Sequence, residues 1–519
     1  MNYVDLFRAT LPETALEIAA LLVLVVDLGF LRKAAAETRV AVAALLGVAG
    51  CAAALWAVSV AGPLSFGGDL LLAAGGSAGI AQYGLLVLTI LTLLLLIDSE
   101  FTRNPGEYVS VVLMAAAGGL IISAAQDLLV IFVGLELLSL GLYILTAFAK
   151  QSGKSAEAAL KYYLFGGMSA AFLLFGFSYL YGLSGSTSLP LVVLGTYTAS
   201  DSGGALLLVL ALVMIAVGLG FKVAAVPFHF WAPDTYEGAP APAAAFVASV
   251  SKVASFALLI SISYAIYWYS KMLPMPGHVR APLLSVALIP HYHPGMVDLW
   301  PLILMTLSVA SMVFGNLAAL AQTSVRRLLA YSAIAHAGYI LIGLTFFSLT
   351  SASAQAILYY ILTYGLTTIG AFGVVGVVER ATGSDRLDSF LGLQKRNPLL
   401  AAVLLVLFLS LAGIPPLVGF WAKFNLFATV LGQGFTPTSA SQVEALAMVA
   451  LAIAFSAVSL YYYLQVLKRA YVMPAADESP IKAHPVTLAV LLLIAAAVVI
   501  LGCFPALLQN WIASFYPAI

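Results

Sequence analysis

Charge is scarce in these 519 residues: Asp, Glu, Lys and Arg make up 8% of the chain, where a soluble domain carries about 25%. The 22 basic and 22 acidic residues also cancel, which excludes a net field that would recruit nucleic acid. Cysteine is nearly absent. Cys51 and Cys503 sit far apart in apolar runs, so two such thiols hold no iron–sulfur cluster and suggest no disulfide framework. No basic n-region followed by a small-residue cleavage site opens the chain, and the first apolar run is expected to be retained. Soluble-enzyme motifs are missing too. Gly153-Lys154-Ser155 ends like a P-loop, but Phe148 stands where the earlier glycine is required, and neither a dinucleotide fingerprint nor H-E-x-x-H occurs.

Apolar residues fill the space that charge leaves: 63% of the chain, with a mean hydropathy of +1.07. Size does not explain this, because a larger soluble protein still covers a polar surface. The chain is a polytopic, all-α membrane protein. A spanning helix needs about 20 mainly apolar residues, and runs of that kind lie near 12–31, 40–61, 83–98, 108–125, 127–148, 160–183 and 205–226. Others follow near 243–268, 301–320, 327–348, 354–378, 398–429, 444–467 and 485–504. These are spans 1 to 14; span 3 is short unless it begins within 70–82. Basic residues concentrate in the connections after odd-numbered spans, fifteen of them, with only Arg8, Lys271 and Arg280 on the other side. The positive-inside rule then places both termini outside the cytoplasm.

Lys161, Lys222, Lys252 and Lys423 belong to neither side; they lie in or near the apolar runs. Burying four charges in spanning helices costs about 10–14 kcal/mol on insertion scales, so each needs a partner, water or a use. Glu136, nine residues after Asp127, is about 14 Å into span 5, too deep for so short a side chain to reach an interface. Either it is held by a neighbouring helix or it is functional. Lys252 lies about as deep in span 8, among the small residues Ala248, Ser249, Ser251, Ala254 and Ser255, which leave room for water or close helix contact. Lys222 precedes a Pro-rich stretch that reads equally as membrane surface or as a helix interrupted within the bilayer.

Lys423 stands beside Gly413, Pro415, Pro416 and Gly419, a second interruption. Spans 7 and 12 are five apart and therefore oppositely oriented, as in an inverted five-helix repeat matching spans 4–8 with spans 9–13; broken helices in corresponding positions of two halves point to an ion site. His336 in span 10 is either a satisfied core residue or a relay between lysines. Lys161 reads as a surface anchor, and His229, Asp234 and Glu237 either gate or stabilise the span 7 loop. The expected organisation is 1–106 (spans 1–3), 107–268 (first repeat), 269–300 (an extracytoplasmic Pro/His-rich loop), 301–467 (second repeat) and 468–519 (span 14 and tail). In that loop His291 and His293 lack the further ligands a metal site needs.

The stretches GLELLSLGLYIL, ALKYYLFGGMSAAFLLFGFSYLYG, FKVAAVPFHFWAPDTYEGAPAPAAAFVASVSKVASF, SVRRLLAYSAIAHAGY and GIPPLVGFWAKF resemble the antiporter-like membrane subunits of respiratory complex I, the proton-translocating NADH–quinone oxidoreductase. ALKYYLFGG favours the N branch. The resemblance implies that Glu136 is the glutamate of helix 5, Lys222 the lysine of broken helix 7, Lys252 the central lysine of helix 8 and Lys423 the helix 12 residue. His336 carries over less securely. It further implies an ion pair between Glu136 and Lys222 across a polar cavity, a proton line through Lys252 and His336, and an outlet at Lys423. No cofactor is implied in this chain; flavin, iron–sulfur clusters and quinone belong to partner subunits. The implied partners are the other membrane and peripheral subunits and the lipid bilayer of a cell inner membrane. The 270–300 loop is longer than the family leads one to expect. Other readings are a subunit of a multi-component cation/proton antiporter, a related membrane-bound hydrogenase, or a membrane spacer whose buried charges only fix packing.

Overall fold

The computed structural model describes residues 7–61, 72, 76–99, 101–199, 204–272, 296–347, 351–434, 439–475 and 479–516. Among them there is no strand, only isolated bridges between connections. All fourteen spans have helical counterparts. Twelve helices are each long and apolar enough to cross a membrane. The other two are span 1, where Leu11–Val25 runs into a π-helical turn at Val26–Phe30, and span 12, split into Pro398–Ala412 and Val418–Gly434. Span 3 starts at Gly76 and has 21 residues; its first turn, Gly-Ser-Ala-Gly, is too weakly apolar to announce itself. The Pro/His-rich loop, with His291 and His293, lies outside the described residues.

The repeat is visible residue by residue. In span 4 a Cβ on Gly118 would lie 2.6 Å from Leu138 N and 3.0 Å from Gly134 O of span 5. In span 9 a Cβ on Gly315 would lie 2.7 Å from Ala335 N and 3.0 Å from Tyr331 O of span 10. Only glycine permits so close a backbone approach. The N-terminus of span 5 bonds the chain after span 6 (Leu128 N to Thr187 O, Leu189 N to Gln126 O, both 2.9 Å), and that of span 10 repeats the pattern after span 11 (Val325 N to Asp385 O, Leu387 N to Thr323 O, both 2.9 Å). Each start is capped by a side-chain oxygen, Asp127 or Ser324, which satisfies amides that would otherwise be orphaned. This register pairs Glu136 with Ala333 and Ser139 with His336.

Spans 8, 10 and 11 form the buried axis, while spans 6, 13 and 14 turn much of their surface outward. The outward residues of span 13, such as Val443, Leu446 and Ile453, are apolar, as a lipid- or subunit-facing surface requires. Lys252 and His336 lie on the buried spans 8 and 10, whereas Glu136, Lys222 and Lys423 lie on spans 5, 7 and 12.

Candidate functional site

Span 7 ends at Val223, and Ala224 takes the left-handed conformation with φ 58°. The freed backbone groups find partners: Ala225 N donates to Gly220 O (2.8 Å), the Trp231 indole to Phe221 O (3.0 Å), and Val226 N to Ser311 Oγ of span 9 (2.9 Å). The break is therefore packed inside protein and braced by the other repeat. Lys222 lies in the last helical turn before it, buried, with its ammonium donating to Ser139 Oγ on span 5. The rings of Phe221 and Tyr143 lie 5.4 and 5.9 Å from Nζ. Glu136 is half-buried one turn from Ser139. Lys222 and Glu136 form no ion pair here; Ser139 occupies the place that the family resemblance gives to the carboxylate.

Lys252 is buried in span 8 and donates to Ala333 O of span 10, with the Tyr364 ring 5.7 Å away. One turn along span 10, His336 Nδ1 lies 2.9 Å from the Tyr360 hydroxyl, and Nε2 lies 3.5 Å from the Tyr463 hydroxyl. Tyr463 bonds Ser332. Beside this group Asn316 joins Tyr339 (3.0 Å) and Tyr462 (3.2 Å). The buried hydroxyls and amide thus form a connected polar seam between helices whose surroundings are apolar, the setting in which hydrogen bonds are strong and unmade ones costly.

Lys423 closes the seam. Its ammonium donates to Leu411 O (3.1 Å), Ala412 O (2.9 Å) and Ser456 Oγ (2.8 Å), and the Tyr339 ring is 5.4 Å away. Two of these acceptors are the terminal carbonyls that the break leaves orphaned, at the negative end of a helix dipole. Gly413 makes this possible twice over: its φ is 87°, and a Cβ would sit 3.0 Å from the lysine's Cδ. The two breaks correspond but the two lysines do not. Lys222 precedes its break; Lys423 follows its own, in the helix beginning at Val418.

Lys161 stands apart at a half-exposed ionic cluster. It donates to Asp234 (2.8 Å) and lies 2.7 Å from Glu157, while Arg327 of span 10 reaches Asp234 (2.6 Å) and Glu237 (3.1 Å). Burial pushes the Asp234 carboxyl up, but hydrogen bonds from Lys161 and Arg327 outweigh it and hold the group below its ordinary value. Asp234 and Glu237 therefore tie the short helix Trp231–Gly238 to both repeats, and His229 is buried against Phe230 and Phe314. Ser139, Asn316, Tyr360 and Tyr463 are polar partners that charge counting does not find, because a tyrosine or serine in an apolar helix reads as core. One signal does reach Tyr360: SAEAALKYY at 155–163 and SAQAILYYI at 353–361 are repeats of one another, and they align Tyr162 with Tyr360.

Residues 125–276 and 278–443 match the family described as NADH:quinone oxidoreductase/Mrp antiporter, TM. The chain is 46% identical over 522 residues to NADH-quinone oxidoreductase subunit N 2 of Acidobacterium capsulatum, covering 99% of each. It belongs to the subunit N family. Among solved structures, this subunit N chain is similar to one of respiratory complex I from Thermus thermophilus with bound Aureothin, at 32% identity, with 96% and 98% of the two chains covered and a TM-score of 0.73. A chain of the Mrp complex from Dietzia sp. shares the fold at 21% identity and a TM-score of 0.75, over 97% of this chain and 51% of that one.

Proposed function

We propose that this subunit N translocates protons through Glu136, Lys222, Lys252, His336 and Lys423, driven by quinone reduction elsewhere in an NADH–quinone oxidoreductase. The observation that carries this reading is the buried seam itself. Three ammonium groups and an imidazole, each with defined polar partners, follow one another across both repeats. Lys222 is held by Ser139, which lies one turn from Glu136, so a small rotation of span 5 or 7 exchanges a neutral acceptor for a carboxylate. Such an exchange alters the lysine's hold on its proton. Lys252, His336 with its tyrosines, and Lys423 then form the lateral line.

The neighbours of this chain are the other subunits of that complex, which supply the flavin, iron–sulfur clusters and quinone site. Glu136 supports a protein neighbour. It is half-buried on a face shared with the exposed Val133 and Leu140, and a carboxyl at that depth is too costly to leave against lipid. The charge asymmetry of the connections supports termini outside the cytoplasm, in a cell inner membrane. Glu136→Ala and Lys222→Ala, purified in the assembled complex, are expected to impair NADH-driven proton translocation while assembly persists. Wild-type translocation by both variants defeats the relay. Sodium–proton exchange by an assembly lacking redox subunits moves the chain to the antiporter branch.

A further inference from the structure

After Lys482 the chain carries no Asp, Glu, Lys or Arg, yet it continues past span 14 into the helix Ala506–Ala513. Gln509 and Asn510 are the amide side chains of that helix, and Trp511, Phe515 and Tyr516 follow within six residues. The aromatics meet the start of span 3. Tyr83 takes Trp511 and Phe515 edge-on at 5.9 and 5.8 Å, and Trp511 meets Phe515 at 5.1 Å. A Cβ on Gly79 would lie 3.6 Å from the Phe515 ring. The Tyr516 hydroxyl is buried, which raises its pKa, with Ser77 of span 3 and Tyr264 of span 8 beside it. Small residues from Gly76 to Gly79 thus form a socket for two rings. Ile512 is buried, and the helix packs on span 11. One short segment therefore reaches spans 3, 8 and 11 together.

Spans 3 and 11 flank span 8, which carries Lys252. Between that lysine and this end of the bundle, buried polar side chains continue: Ser255 and Ser263 on span 8, Tyr360 on span 11 and Gln82 on span 3. Buried polar groups draw water wherever the way in is open. A proton line that must run sideways through Lys252 fails if water reaches the lysine from the end of its own helix. Excluding water is what prevents such leakage. The aromatic segment stands at that end, and it is firmly rooted. The Trp421 indole donates to Gly502 O (2.8 Å), and a Cβ on Gly502 would run into the Pro416 carbonyl. Its root is thus the span 12 break that seats Lys423.

We propose that the segment 505–516 is a proton seal: its aromatic rings close the shared end of spans 3, 8 and 11, so that Lys252 passes its proton only sideways. The seal takes its purpose from the relay reading, so one arm of its test is free of pumping. The reporter is Ile260→Cys, buried one turn inside Tyr264 on span 8. It is placed in the assembled complex in lipid nanodiscs, with Cys51 and Cys503 replaced by serine, and reacted with a small sulfonate-bearing methanethiosulfonate. Phe515→Ala with Tyr516→Ala should speed labelling about tenfold, because thiol reactivity follows access to water. Unchanged labelling overturns the seal whatever the pumping variants do. In proteoliposomes without NADH, the same double variant should dissipate an imposed pH gradient about threefold faster than the parent, and Phe515→Leu with Tyr516→Phe should stay tight. Dissipation at the parental rate overturns the sealing role. Phe515→Ala alone, which keeps the helix and Tyr516, carries the same predictions if the double variant does not assemble. Wild-type pumping by Lys252→Met instead overturns the relay reading and leaves the labelling result intact.

Discussion

The two repeats share a backbone and divide the chemistry. Spans 4 and 5 meet through Gly118 as spans 9 and 10 meet through Gly315, and the capped starts of spans 5 and 10 make matching bonds. At equivalent positions, however, the first repeat carries Glu136 and Ser139, and the second carries Ala333 and His336. One half offers a carboxylate and a hydroxyl to a lysine that lies before its break. The other offers a backbone carbonyl to Lys252, an imidazole ringed by tyrosines, and a lysine after its break, seated on helix-end carbonyls. Close backbone contact tolerates few substitutions, so the scaffold is duplicated faithfully, whereas side chains lining a polar seam are free to diverge. The first half is built to change a lysine's partner, and the second to pass a proton along.

That contrast can be broken most severely at the lysines. Lys423→Met and Lys222→Met should each lower NADH-driven proton translocation by roughly tenfold or more. Assembly should survive both, since replacing a buried charge with an apolar side chain of similar size is often neutral or better. Proton uptake by reconstituted vesicles, alongside a native-gel assay of the complex, checks both halves of the prediction. Substitutions of the shared scaffold should instead act alike in the two repeats. Gly118→Val and Gly315→Val each drive a side chain into facing backbone, costing about 1–3 kcal/mol, and thermal melting of the complex should show two similar losses. A third pair sharpens the difference: His336→Phe should slow translocation clearly, whereas Ser139→Ala, which leaves Glu136 available to Lys222, should slow it less.

The smallest expected effect lies at the ionic cluster. Asp234 has its carboxyl held below the ordinary value, so its contribution is present above the unfolded carboxylate pKa and disappears as pH falls through the folded one. Asp234→Asn should therefore destabilise modestly at neutral pH. The pair is partly exposed, and such pairs contribute about 1 kcal/mol or less. The variant and parent complexes should converge in melting temperature in acid.

Much of this was legible in residues alone. A lysine in an apolar run costs enough to attract notice, and Gly413 with Pro415 and Pro416 announces a broken helix at once. What could not be read was register. Lys222 and Lys423 both neighbour a break, but which groups each ammonium meets, Ser139 for one and the carbonyls of Leu411 and Ala412 for the other, appears only in the structure. The same holds for the partner of Lys222: Glu136 is conspicuous as a charge, whereas Ser139, one turn further, looks like any small residue in a spanning helix. Tyr463 was hidden for the opposite reason, because a large aromatic in an apolar run is what a core contains, and only the internal repeat marks Tyr360. Span 3 misled by composition, its first turn being small rather than oily.

The central claim is that one proton line crosses both halves through Lys252, and the most direct measurement is the ratio of protons translocated to NADH oxidised in proteoliposomes containing the Lys252→Met complex. The account predicts an assembled complex whose translocation is lost or severely reduced. A Lys252→Met complex that assembles and pumps at the wild-type ratio would contradict it.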